Sequence, residues 1–261
     1  MSYVHRKRLM NVVSSVFWGA VLMSLAAVAA AQVAAPKPPD IRPPTPRLAD
    51  GTPNLGRIEL SRGYWAPKQY QDYNAILTAP KEIPYRPWAA QLREERHATN
   101  SRDDPNGNCL PPAGPRMMTT PYPMEIVQLP EQQRIFMVFE GGAHIWREIY
   151  MDGRAFPDDI NPTWTGYSIG HWEGDTLVVE VRGFNEKTWL EMYGAPHTDE
   201  LTVTERFSRP DLYTLHYEGT IIDPGAYTEP WTVAMDIIWD PDGELEEYIC
   251  QENNRWTGSQ Q

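Results

Sequence analysis

The chain has 261 residues, 41% of them hydrophobic, and a formal charge of −12. A surface of that sign repels phosphate backbones and anionic lipid heads, which argues against nucleic-acid binding. The length supplies one domain with a sizeable core and leaves residues over at both ends.

Residues 1–31 have the order of a secretion signal. Arg6, Lys7 and Arg8 are its positive start, Val12 to Val28 is almost wholly apolar, and Ala29, Ala30 and Ala31 place small residues before Gln32. Cleavage is expected after Ala31, leaving a periplasmic or secreted protein with no membrane span. The apolar run also reaches the roughly 18 residues of an uncleaved anchor. Loss of the three positive charges takes the formal charge from −12 to −15.

Residues 32–53 are Pro-rich and poor in large apolar residues, which predicts an extended tether. Residues 54–108 carry Trp65, Tyr70, Tyr73, Tyr85 and Trp88 among prolines. They read as an irregular wrap of aromatic anchors, with one helix over Trp88 to His97.

Residues 109–254 have the pattern of strands. The predicted set is Met124 to Leu129, Arg134 to Glu140, His144 to Met151, Tyr167 to His171, Thr176 to Phe184, Leu201 to Phe207, Leu212 to Ile222, Thr232 to Trp239 and Leu245 to Gln251. Turn clusters such as Glu173-Gly174-Asp175 and Asp240-Pro241-Asp242-Gly243 separate them. Strands at near-regular spacing without intervening helices imply a mainly β domain, an antiparallel β-barrel or β-sandwich. Residues 255–261 are left as a tail.

Cys109 and Cys250 flank this region. In an oxidising compartment they are most simply a disulfide, worth on the order of 4 kcal/mol for so long a loop. Neither belongs to a CxxC motif, and the histidines show no HExxH, HxH or HxxxH spacing. No metal or other cofactor is expected, although barrel closure could still bring His144, His171 and Glu205 together.

Gly166-Tyr167-Ser168-Ile169-Gly170 fits the G-x-S-x-G pattern of serine hydrolases. That motif needs a strand-to-helix elbow, and here a turn into another strand follows. Ser168 is therefore expected to be a strand residue with a local hydrogen bond. Alternation gives a sharper clue. Glu205 shares a strand face with Leu201, Val203 and Phe207, and Arg147 shares one with Ile145 and Ile149. Both should point inward and pair, either as a structural brace or as a site in which Arg147 grips an anion and Glu205 moves a proton. His197 lies in the loop Tyr193 to Thr198 at the expected barrel mouth, beside Asn185. It is a candidate acid or base, or a loop histidine capping backbone groups. Asn185, Trp164, Trp172 and Tyr150 complete the candidate ligand contacts, the aromatic rings by stacking.

Several stretches carry a resemblance. They are Leu48 to Pro53, Cys109 with Pro112, Gly114 and Arg116, Arg147 to Arg154 (REIYMDGR), Gly166 to Val179, Gly183-Phe184-Asn185, Pro196-His197-Thr198, Thr204 to Phe207, Asp223 to Trp231 (DPGAYTEPW) and Glu252 to Asn254. In these the mature chain resembles a widespread family of secreted bacterial hypothetical proteins. The resemblance implies one coherent fold and no particular reaction. At the level of fold alone the pattern is similar to lipocalin-like barrels.

Three functional readings follow. The first is an exported barrel that holds a small organic molecule in its interior and performs acid–base chemistry of the lyase, isomerase or hydratase type. The second is a non-catalytic carrier using the same cavity, and the third a structural or partner-binding envelope protein.

Overall fold

Alternating apolar and polar residues downstream of Cys109 become eight strands, and their inward faces make the core. The computed structural model describes residues 42–58, 62–67, 73–112, 114–120, 122–141 and 145–252. The predicted signal segment, the start of the predicted tether, His144 and the tail 255–261 lie outside the described residues. The strands are β3 (Met124–Leu129), β4 (Arg134–Phe139), β5 (Trp146–Tyr150), β6 (Tyr167–Glu173), β7 (Thr176–Arg182), β8 (Thr202–Asp211), β9 (Thr214–Ile222) and β10 (Trp231–Asp240). Two short strands precede them, β1 (Tyr64–Ala66) and β2 (Leu77–Ala79). The helices are α1 (Tyr73–Ile76), α2 (Pro87–Ala98) and α3 (Pro115–Thr119). The predicted helix is α2, which starts on Pro87 and carries Arg96 and His97 in its last turn, where the helix dipole favours cations.

The sheet closes on itself as a nine-stranded barrel, β1 followed by β3 to β10 and back to β1, with β2 added along β10. The barrel alternative is therefore the right one. Its neighbours are antiparallel except β5 and β6, which run parallel and pair only at Ile149 with Ser168 and Tyr150 with Ile169. A parallel neighbour demands a crossover, and the connection from Met151 to Gly166 supplies it across the outside of the wall. Phe156 packs on Tyr167, and Arg182 lies 4.4 Å from the Phe156 ring.

The ring is completed by a segment assigned from sequence to the wrap. Trp65 of β1 faces Trp239 of β10 on one side and Met124 of β3 on the other. Its ring is fully buried, its indole N–H donates to Leu55 O at 2.7 Å, and it meets the Trp239 ring edge-on. Arg209 lies over both rings and donates to the carbonyls of Asn54, Gly56 and Leu212. Burial lowers its pKa to about 10. The described part of the predicted tether is fastened to the same end, through Arg42 with Asp211, Arg47 with Asp175, and Thr45 with the carbonyl of Arg209.

The predicted strand Leu245 to Gln251 joins no ladder. One edge of β10 belongs to β9, and the other is taken by β1 and β2, so it cannot extend the sheet along β10. It crosses the barrel end instead. Glu246 N–H donates to Glu140, Tyr248 packs against Tyr122, and Cys250 is bonded to Cys109 across 141 positions of sequence.

That disulfide closes a long loop in the unfolded chain. Cys250→Ser should lower unfolding free energy by roughly 2–5 kcal/mol in urea titrations, with the β-type circular dichroism retained. An unchanged midpoint would show that the bond adds nothing to the barrel.

Candidate functional site

The interior pair expected from alternation is present. Arg147 Nη2 and Glu205 Oε2 are 2.6 Å apart, with side chains 1% and 0% exposed. The two groups touch off the line of a directed hydrogen bond, so the contact is chiefly coulombic. Glu205 Oε1 accepts the Tyr217 phenol at 3.1 Å. Burial first, then the Glu205 charge, raises the Tyr217 pKa well above its ordinary value, so this phenol stays a donor. Gly219 makes the reach possible. It faces Glu205 across the β8–β9 ladder, and a Cβ there would stand 2.5 Å from the Tyr217 oxygen.

Around this cluster the barrel is filled by Met137, Ile149, Leu177, Val179, Phe207 and Ile237, all buried. A sealed, neutralised pair in such packing favours the brace over the proton carrier.

His197 lies beyond the start of β8, in the loop that follows β7. It too is buried, and its ring nitrogens are occupied. Nδ1 is 2.9 Å from Thr198 O, which can only accept, so Nδ1 bears the proton and Nε2 accepts from Thr188 Oγ1 at 2.6 Å. Burial lowers its pKa, partly offset by the hydrogen bond to Thr198. Thr188 Oγ1 is also 3.3 Å from Asn185 O, and Asn185 Oδ1 accepts from the Lys187 backbone. His197 and Asn185 are thus brought together through one hydroxyl as loop-forming residues, and the capping alternative describes His197.

The cluster of His144, His171 and Glu205 is not formed. His144 is outside the described residues. His171 points outward from β6, 56% exposed beside Glu173, while Glu205 is sealed inside. Strand alternation could have excluded it, since His171 lies on the face opposite Ser168 and Gly170.

The four remaining ligand candidates are dispersed. Trp172 lines a recess of about 180 Å³ at the barrel end that holds Leu48 and Asp50. Tyr150 lines a separate groove of about 210 Å³ in the wall, where β5 and β6 diverge beyond their two paired residues. Trp164 sits half-buried between Thr163 and Thr165, both of which line this groove. Asn185 stands behind it, its N–H bonded to Thr163 O.

The groove holds what sequence reasoning missed. Trp146 forms its lip and is 59% exposed, the most exposed large apolar side chain among the described residues. Ser168, 1% exposed, shares the inward face of β6 with Gly170 and sits opposite the buried Ile149 and Val181, and its Oγ has no hydrogen-bond partner. The local hydrogen bond expected for Ser168 is thus absent. Ser168 lies inside β6, which turns at Glu173 into β7, so the G-x-S-x-G run has no helix after it and no nucleophile elbow. On the outer face Tyr150 stacks on Tyr167 and is flanked by the guanidiniums of Arg134 and Arg154.

A larger cleft, of about 410 Å³, lies at the disulfide-clamped end between His97, Tyr122, Met192, Tyr193 and Tyr248. Its charged floor is satisfied internally, since Arg116 holds Asp104 through both oxygens at 2.8 and 2.5 Å. The exposed Trp146 ring makes the wall groove the stronger candidate, since an indole left in solvent gains by covering a ligand.

Two measurements test the interior assignments. Arg147→Met or Glu205→Leu alone should cost roughly 3–5 kcal/mol by stranding the other charge, while the double variant should return to within about 1 kcal/mol of the parent. Additive losses would remove the brace. For His197, the folded state resists the proton that the unfolded state accepts near the ordinary value of 6.5. Its contribution to stability is therefore complete above that pH and declines as pH falls below it. The imidazole signals of His197 in a nuclear magnetic resonance titration should move at lower pH than those of an unstructured peptide; a midpoint above 6.5 contradicts the assignment.

Comparison of this chain with protein-family models, curated proteins and solved structures gave no match.

Proposed function

We propose that this protein is an exported small-molecule-binding barrel that works by recognition, with its ligand in the wall groove between β5 and β6. The observation that carries the reading is the exposed Trp146 ring at the lip of a groove that also carries Tyr167 and Thr163. Binding sites join a few placed polar groups to aromatic walls, and this groove has both. Export is supported by the signal-like start and by the Cys109–Cys250 bond, which suits an oxidising compartment. The motif resemblance to secreted bacterial proteins agrees with that address. Arg147 and Glu205 take the bracing role, and the carrier reading is preferred to acid–base catalysis because the pair is closed to solvent.

Native mass spectrometry of protein purified from its own envelope tests this reading. The parent should retain a bound small molecule. Trp146→Ala, which removes the lip, and Thr165→Trp, which fills the groove, should lose it with circular dichroism unchanged. Retention at parental level in both variants would place the ligand elsewhere. Absence of any bound molecule, with no response of tryptophan fluorescence to a metabolite library, would reject the binding function.

A further inference from the structure

The geometry points to one ligand class for the wall groove, a neutral sugar ring. This inference rests on the groove being the binding site.

Charge is the first constraint. Glu148 is the only ionisable carboxylate among the lining residues, and Arg134 holds it at 2.6 Å. The lining is therefore neutral as a whole and selects against an ionic guest, whose desolvation nothing here would offset.

Hydrogen-bonding direction is the second. Tyr167 accepts a hydrogen bond from Arg154 at 3.1 Å, which leaves its own proton to donate outward. Thr163 Oγ1 gives its proton to Gly166 O at 3.3 Å, which leaves its lone pairs to accept. Neighbouring hydroxyls on a ring need this mixture of donors and acceptors, since each hydroxyl both gives and takes. A flat apolar molecule could stack on Trp146, but it would cover the Tyr167 phenol without accepting its proton and forfeit about 1–3 kcal/mol.

Shape is the third. Trp146 presents a ring at the lip, suited to the C–H face of a pyranose, and a space of about 210 Å³ accommodates one such ring. The groove is open at the surface, so the ring could be a free monosaccharide or the end of an oligosaccharide.

The test uses saturation-transfer nuclear magnetic resonance on the mature protein. The probes are glucose, galactose, N-acetylglucosamine, their β-linked disaccharides, and the flat comparators indole and benzoate. At least one neutral sugar should receive saturation mainly on one C–H face. Trp146→Ala should weaken that sugar about tenfold, equivalent to about 1.4 kcal/mol, and Thr165→Trp should abolish the signal. Tighter binding of the disaccharide would identify a glycan end as the source, and equal binding a free sugar. If indole or benzoate binds in a Trp146-dependent manner and no sugar does, the groove remains a binding site and the sugar assignment is overturned. If no probe binds through Trp146, the sugar assignment fails together with the groove.

Discussion

The contact between Arg147 and Glu205 joins the barrel from inside. Strands β3 to β5 form one continuous antiparallel piece and β6 to β10 another. Between β5 and β6 the ladder is two residues long, so backbone hydrogen bonds alone hold that seam weakly. Arg147 belongs to the first piece and Glu205 to the second, and their 2.6 Å contact spans the seam through the interior. The cost of burying two charges is offset by their mutual attraction and by the Tyr217 hydrogen bond to the carboxylate.

The other junction between the pieces is made by β1, only three residues long. There too side chains do what the ladder cannot. The Trp65 ring is held between Trp239 and the Arg209 guanidinium, and Arg209 is bonded to carbonyls of the segment before β1. Each short ladder is thus accompanied by a buried arginine, paired with a carboxylate at one seam and with indole rings and carbonyls at the other.

Much of this was legible in the sequence where the signal has a period. Alternation with a spacing of two identified β3 to β10 within a few residues and turned Arg147 and Glu205 inward, because every second side chain in a strand shares a face. Tyr64 to Ala66 is too short to show a period, so the strand that closes the ring read as irregular. Leu245 to Gln251 has strand-like composition, but pairing requires a free edge, and composition carries no information about which edges are occupied. The parallel arrangement of β5 and β6 depends on where the crossover lands, which a loop sequence does not state. For the same reason the groove was invisible: Trp146 and Tyr167 are far apart in the chain and line one groove only because two strands separate. His197 was correctly placed in a loop at the barrel end, but its burial comes from Thr188, Phe184 and Thr198 packing around it.

The parallel seam also governs how far the wall can yield. A guest in the proposed groove would press outward on β5 and β6, which share only two residue pairs there. Further parting would have to stretch the contact between Arg147 and Glu205, since these residues belong to the two sides being parted. The resistance to such a guest would therefore be elastic and electrostatic, supplied from the dry side of the wall, and its girth would be limited by an ion pair that it never touches.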